Sequence, residues 1–93
     1  MILHSIKLKV TDNKEIRRRL NKIFRQVLNN NQINLDINTT NEELEQWDSL
    51  NHIILILEIE KYFSIKITAG EITELKSIRV ICDLINKKVS KEV

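Results

Sequence analysis

The apolar positions of this chain follow more than one rhythm. Ile16, Leu20, Ile23, Phe24, Val27 and Leu28 recur at steps of three, four and one, which places them on one face of a helix. That element is predicted to start near Thr11 or Asp12, with Asp12 and Glu15 spaced as a capping-box variant, and to end at Asn29-Asn30-Asn31. Near the C-terminus Ile78, Ile81, Cys82, Ile85 and Val89 repeat the rhythm behind Ser77, a capping residue, and Lys87 and Lys88 suit the end of that helix's dipole. The stretch from Ser49 to Phe63 is different, because Ile53-Ile54-Leu55-Ile56-Leu57 is apolar without a break. At about 100° per residue such a run goes right round a helix, so no single orientation hides it. Either the element is wholly buried, or a second apolar face waits for a partner or ligand. Periodicity alone leaves a strand open, but no Gly, Pro or turn cluster interrupts Ser49 to Phe63, and that length favours a helix.

The remaining segments connect these three. Ile6-Lys7-Leu8-Lys9-Val10 alternates, as a short strand or an unstructured arm would. Residues 32–47 form a long connection in which Ile33, Leu35 and Ile37 offer anchors, and Asn41 to Glu45 has room for one helical turn capped by Thr40 or Asn41. Ser64-Ile65-Lys66-Ile67 looks extended. Thr68-Ala69-Gly70-Glu71 is a capping-box signal for a short helix through about Leu75, and Ser90 to Val93 is expected to fray. The prediction is an all-α, single-domain fold. It divides into an N-terminal extension at 1–11, a helical domain at 12–88 and a tail at 89–93.

Composition narrows the class. Ninety-three residues suit one domain with a modest core, and 42% hydrophobic with 30% charged residues is ordinary for a soluble globular chain. One Gly and no Pro agree with helices. The longest apolar run is far short of a membrane span, and Met1-Ile2-Leu3-His4 followed by lysines does not read as a signal peptide, so a cytoplasmic protein without membrane insertion is expected. Cys82, the single cysteine, sits at core spacing and has no internal disulfide partner. The net charge of +2 conceals a segregation: residues 1–25 carry eight bases and two acids, residues 26–60 no bases and seven acids, residues 61–93 seven bases and four acids. The acidic middle, with Glu42, Glu43, Glu45 and Asp48 before Ser49 and Glu58 and Glu60 behind it, favours basic docking surfaces and disfavours nucleic acid on the same face.

The candidate chemistry lies in Trp47-Asp48-Ser49-Leu50. Asp48 is a good N-cap, which leaves Ser49 at the first helical position beside unpaired amides and the positive end of the dipole. A phosphate ester on that hydroxyl is stabilised there. No histidine has metal-ligand spacing, and Gly-rich phosphate loops are absent. His52 follows Ser49 on the same side of the helix, but no oxyanion-hole glycines accompany the pair, and a surface position touching partners is expected for it. Trp47 is expected to cover the end of the bundle.

Asp48-Ser49-Leu50 opening a helix, with Leu55, Ile59 and Phe63 spaced behind it, resembles the acyl carrier protein family and its peptidyl carrier relatives. Asp36, Thr39, Leu44, Trp47 and Asp48 are similar to the loop that precedes the serine in such carriers. A tryptophan before Asp-Ser-Leu resembles peptidyl and specialised acyl carriers more than housekeeping ones. The resemblance implies a four-helix bundle of acyl-carrier type, three helices longer and one short, with a long loop between the first two. It implies a non-catalytic phosphoprotein whose Ser49, flanked by Asp48 and Leu50, holds a 4'-phosphopantetheine arm taken from coenzyme A and bearing thioesters. Leu50, Ile53 and Leu57, with Glu60, would dock partners, while Leu55, Ile59 and Phe63 face the core. The implied partners are a phosphopantetheinyl transferase and acyl- or aminoacyl-loading and transferring enzymes, served by a monomer. Asn51, His52 and Ile54 stand where fatty-acid carriers commonly have acids or small polar residues, which points to specialised lipid or secondary-metabolite biosynthesis. Two other classes remain. Arg17, Arg18, Arg19, Lys22 and Arg25 of the first helix would suit a small helical nucleic-acid binder, and the excess apolar face would suit a plain interaction module.

Overall fold

The computed structural model describes residues 13–90, which form four helices, with no strand among them. The alternating segment 6–10 and the Asp12 cap lie outside the described residues. Helix α1 spans Asn13–Val27 and buries Ile16, Leu20, Ile23 and Phe24, as the spacing predicts. It stops slightly earlier than expected: the Leu28 amide still reaches the Phe24 carbonyl, and Asn29 then turns left-handed at φ 51°.

Helix α2 spans Ser49–Phe63 behind the Asp48 cap. It ends at Ser64, also left-handed at φ 56°, a conformation more often given to glycine. Ile65 and Ile67 are buried on either side of exposed Lys66, the alternation expected of an extended link. Helix α3, Ala69–Ile72, carries the predicted capping box between Thr68 and Glu71 but ends before Leu75. Leu75 is buried all the same, reached through a turn in which the Glu74 amide bonds the Glu71 carbonyl. An inward apolar residue therefore looked helical in sequence without being so. Helix α4, Ile78–Ser90, follows Ser77, whose Oγ accepts from the Val80 amide at 3.3 Å, and buries Ile78, Ile81, Cys82, Ile85 and Val89. Among the described residues no helix is long and apolar enough to cross a membrane.

Phe24 of α1 meets Trp47 just before α2, whereas Arg19 meets Tyr62 near its end, so α1 and α2 run in opposite directions. Asn13 pairs with Asn86, and α1 also packs along α4. One core joins all of these with Leu28, Ile33 and Leu35. The long loop is pinned from both sides. Arg25 Nε donates to the Ile33 carbonyl at 2.6 Å, and Asn21 accepts from the Leu35 amide at 2.8 Å. The Ile78 amide, which has no acceptor within its own helix, bonds the Thr39 carbonyl at 2.9 Å, and Thr40 bridges to Ser77. Asn41 to Glu45 form no helical turn. A tight turn from the Thr40 carbonyl to the Glu43 amide takes its place.

Candidate functional site at the mouth of the second helix

Asp48 is extended, and its carboxylate accepts from the Asn51 amide at 2.9 Å. Asn51 Nδ2 reaches back to the Gln46 carbonyl at 2.9 Å, which closes the first turn from the other side. Ser49 is thereby held as the first residue of α2 and is exposed. The amides of Ser49 and Leu50 have no intrahelical acceptor, so a phosphodiester on the hydroxyl would meet N–H dipoles and the positive helix end. These residues fit a phosphopantetheine ester. Glu42, Glu43, Glu45 and Asp48 are exposed around them and give this end of the molecule its negative field.

Behind the serine the helix divides. Leu55, Ile56 and Ile59 are buried and Phe63 is half-buried, while Leu50 is 71% exposed, Leu57 56% and Ile53 46%. Ile54, the least open, joins them, and the four recur at three- and four-residue steps as one stripe. Burying such a side chain typically contributes about 1.5–3 kcal/mol. A stripe that forgoes this differs from apolar residues scattered singly, which need no explanation. It leads into a cleft of 460 Å³ lined by Leu57, Glu60, Lys61, Ser64, Ile65 and Lys66. Glu60 is only partly available to a partner there, because its Oε2 accepts from the Ile67 amide at 2.7 Å.

Two residues sit differently from, or do more than, the sequence suggested. Trp47 is 5% exposed and packs edge-on against Phe24, with centroids 4.9 Å apart, so it does cover the bundle end. His52 is half-buried and internal rather than a surface contact. Its Nδ1 lies 2.9 Å from Trp47 Nε1 and its Nε2 lies 2.9 Å from the Ile72 carbonyl. Both ring nitrogens are therefore engaged, which leaves none to serve Ser49 as a base. The hint in the sequence was the tryptophan: a buried indole N–H needs an acceptor, and His52 is a polar neighbour on the apolar helix. The carbonyl of Ile72 could not be foreseen.

The basic face of α1 is substantially committed to internal contacts. Arg18 and Arg19 both pair with Glu15, at 2.6 and 3.0 Å, Arg19 also bonds Tyr62 and lies over its ring, and Arg25 is tied to the loop. Among the described residues no group of His, Cys, Asp and Glu could hold a metal ion. Burial pushes the Cys82 thiol up to about 11, against a smaller opposing effect of Arg17, so it is protonated and inert at neutral pH.

Comparison with known proteins gives the family and the fold. Residues 18–85 match the family profile described as a phosphopantetheine attachment site. The chain belongs to the phosphopantetheine-binding carrier family, whose members carry that group covalently and are not enzymes. Within it the fold is that of acyl carrier proteins. The solution structure of a holo acyl carrier protein from Geobacter metallireducens is 36% identical, with a TM-score of 0.74 over 81% of this chain and 86% of that one. A comparison with curated proteins returned no match.

Proposed function

We propose that Ser49 is the residue that bears the 4'-phosphopantetheine arm, within the motif Asp48-Ser49-Leu50, and that the protein is a carrier of acyl thioesters in a specialised biosynthetic pathway. The observation that carries this is an exposed hydroxyl at a capped helix mouth with an exposed apolar stripe running directly from it. The acyl carrier among its solved relatives favours acyl over aminoacyl cargo. Asn51, half-buried His52 and apolar Ile54 support a pathway other than housekeeping fatty-acid synthesis. Leu50, Ile53 and Leu57 dock the transferase and the loading enzymes, with Glu60 at the far rim. A small apolar patch with a charged edge suits weak, exchangeable contacts made by a cytoplasmic monomer.

The decisive experiment incubates the full chain with coenzyme A and a promiscuous phosphopantetheinyl transferase and weighs the product. Wild type gains the mass of one arm and Ser49→Ala gains none. A wild-type protein that stays unmodified, or an alanine variant that still gains mass, overturns the assignment.

A further inference from the structure

Helix α3 buries no residue fully and packs against the core through half-buried Ile72, so polar ties help to set its position. Two such ties are present. Toward α4, Lys88 Nζ pairs with Glu71 at 2.9 Å, and that bond, with the Thr68 amide, lowers the Glu71 carboxyl to about 2. Toward α2, the Ile72 carbonyl faces His52 Nε2 at 2.9 Å. The indole nitrogen of Trp47 can only donate, so His52 Nδ1 must be the bare acceptor and the single ring proton belongs to Nε2, aimed at Ile72. The two rings lie nearly parallel, 27° apart with centroids at 6.0 Å, which fixes the imidazole plane for both bonds.

We propose that His52 is a proton-sensitive bolt: neutral, it fastens Trp47 and α3 to the first turn of α2, one turn from Ser49; doubly protonated, it presents an N–H to the indole N–H and releases Trp47, while its Nε2–H keeps the Ile72 carbonyl. The Glu71 tie does not respond in this way near neutrality, because its carboxylate stays charged there. Of the carboxylates on the elements around the ring, Asp48 is bonded to the Asn51 amide and Glu71 to Lys88 and Thr68, while Glu45 and Glu74 are exposed. Among the described residues no ion pair involves His52, and Phe24 of α1 packs against Trp47. The bolt does not depend on whether Ser49 carries an arm.

The test uses the full, isotope-labelled chain. At neutral pH, nitrogen spectra of His52 should show a proton on Nε2 and a bare Nδ1. A proton on Nδ1 overturns the proposal without any mutation. In His52→Leu, which can neither accept nor donate, the amides of Ile72, Glu74 and Leu75 should exchange about threefold to tenfold faster, as expected for losing one net hydrogen bond. Amides of α1 and α4 should keep their wild-type rates. His52→Gln, which retains an acceptor and a donor, should restore part of the protection. Acidification that protonates the wild-type ring should change the emission of Trp47, the only tryptophan, while α3 exchange, after correction for intrinsic rates, does not rise. Neither variant should show that step. If His52→Leu does not fold, the tautomer and the acid step decide; unchanged α3 exchange in a folded variant, or no acid step in wild type, refutes the bolt.

Discussion

Helices α2 and α4 are similar in length and feed the same core, yet their outward faces share little. The outside of α4 shows Arg79, Asp83 and Lys87, with Val80 as one isolated apolar residue, which is what solvent alone requires. The outside of α2 shows Leu50, Ile53, Ile54 and Leu57 in one line. Helix α4 answers to the core only. Helix α2 answers to the core and leaves a second apolar face open to solvent, beginning beside the serine.

This contrast can be broken in several ways, beginning with the largest effect. Leu55→Ala in α2 and Ile85→Ala in α4 should each destabilise the fold by about 3 kcal/mol in denaturant titrations, because both are essentially inaccessible. If either is tolerated, the two inner faces are not equivalent. On the outer faces, Leu57→Ala and Lys87→Ala should each leave stability within about 0.5 kcal/mol of wild type. They should part in the arm-transfer assay, where Leu57→Ala loses about tenfold in kcat/KM, mainly through KM, and Lys87→Ala loses nothing. Equal transfer rates would remove the special status of the α2 stripe. Ser64→Gly should stabilise by about 0.5–1 kcal/mol, since glycine adopts the left-handed α2 terminus without a Cβ penalty. The smallest effect concerns pH. Glu71 is held near 2 against an ordinary 4.5, so its tie to Lys88 is complete above 4.5 and is lost as pH falls through about 2. Carboxyl chemical shifts should follow that course, and Glu71→Gln should abolish it.

Features set by neighbours in sequence were the legible ones. Asp48, Thr68 with Glu71, and Ser77 cap the helices from within a few residues, and the inward positions of α4 follow from spacing alone. The ambiguous run at 53–57 resolves into two faces only once α1 and the loop lie against one of them. What sequence reading missed depends on distant backbone groups: His52 on the Ile72 carbonyl, Glu60 on the Ile67 amide, Arg25 on the Ile33 carbonyl. Main-chain acceptors and donors carry no residue signature, so such pairings stay invisible until the chain is folded. The length of α3 was misjudged for a related reason, since a buried leucine does not reveal whether a helix or a turn delivers it.

The seam between Thr39-Thr40 and Ser77-Ile78 has a consequence for synthesis on the ribosome. Its two halves lie nearly forty residues apart, and the later half is made after the serine, the stripe and α3 have all emerged. A nascent chain lacking residues 77–78 can already pin Ile33 and Leu35 to α1, but the Thr39-Thr40 end of the loop gains its fastening only when the last helix arrives.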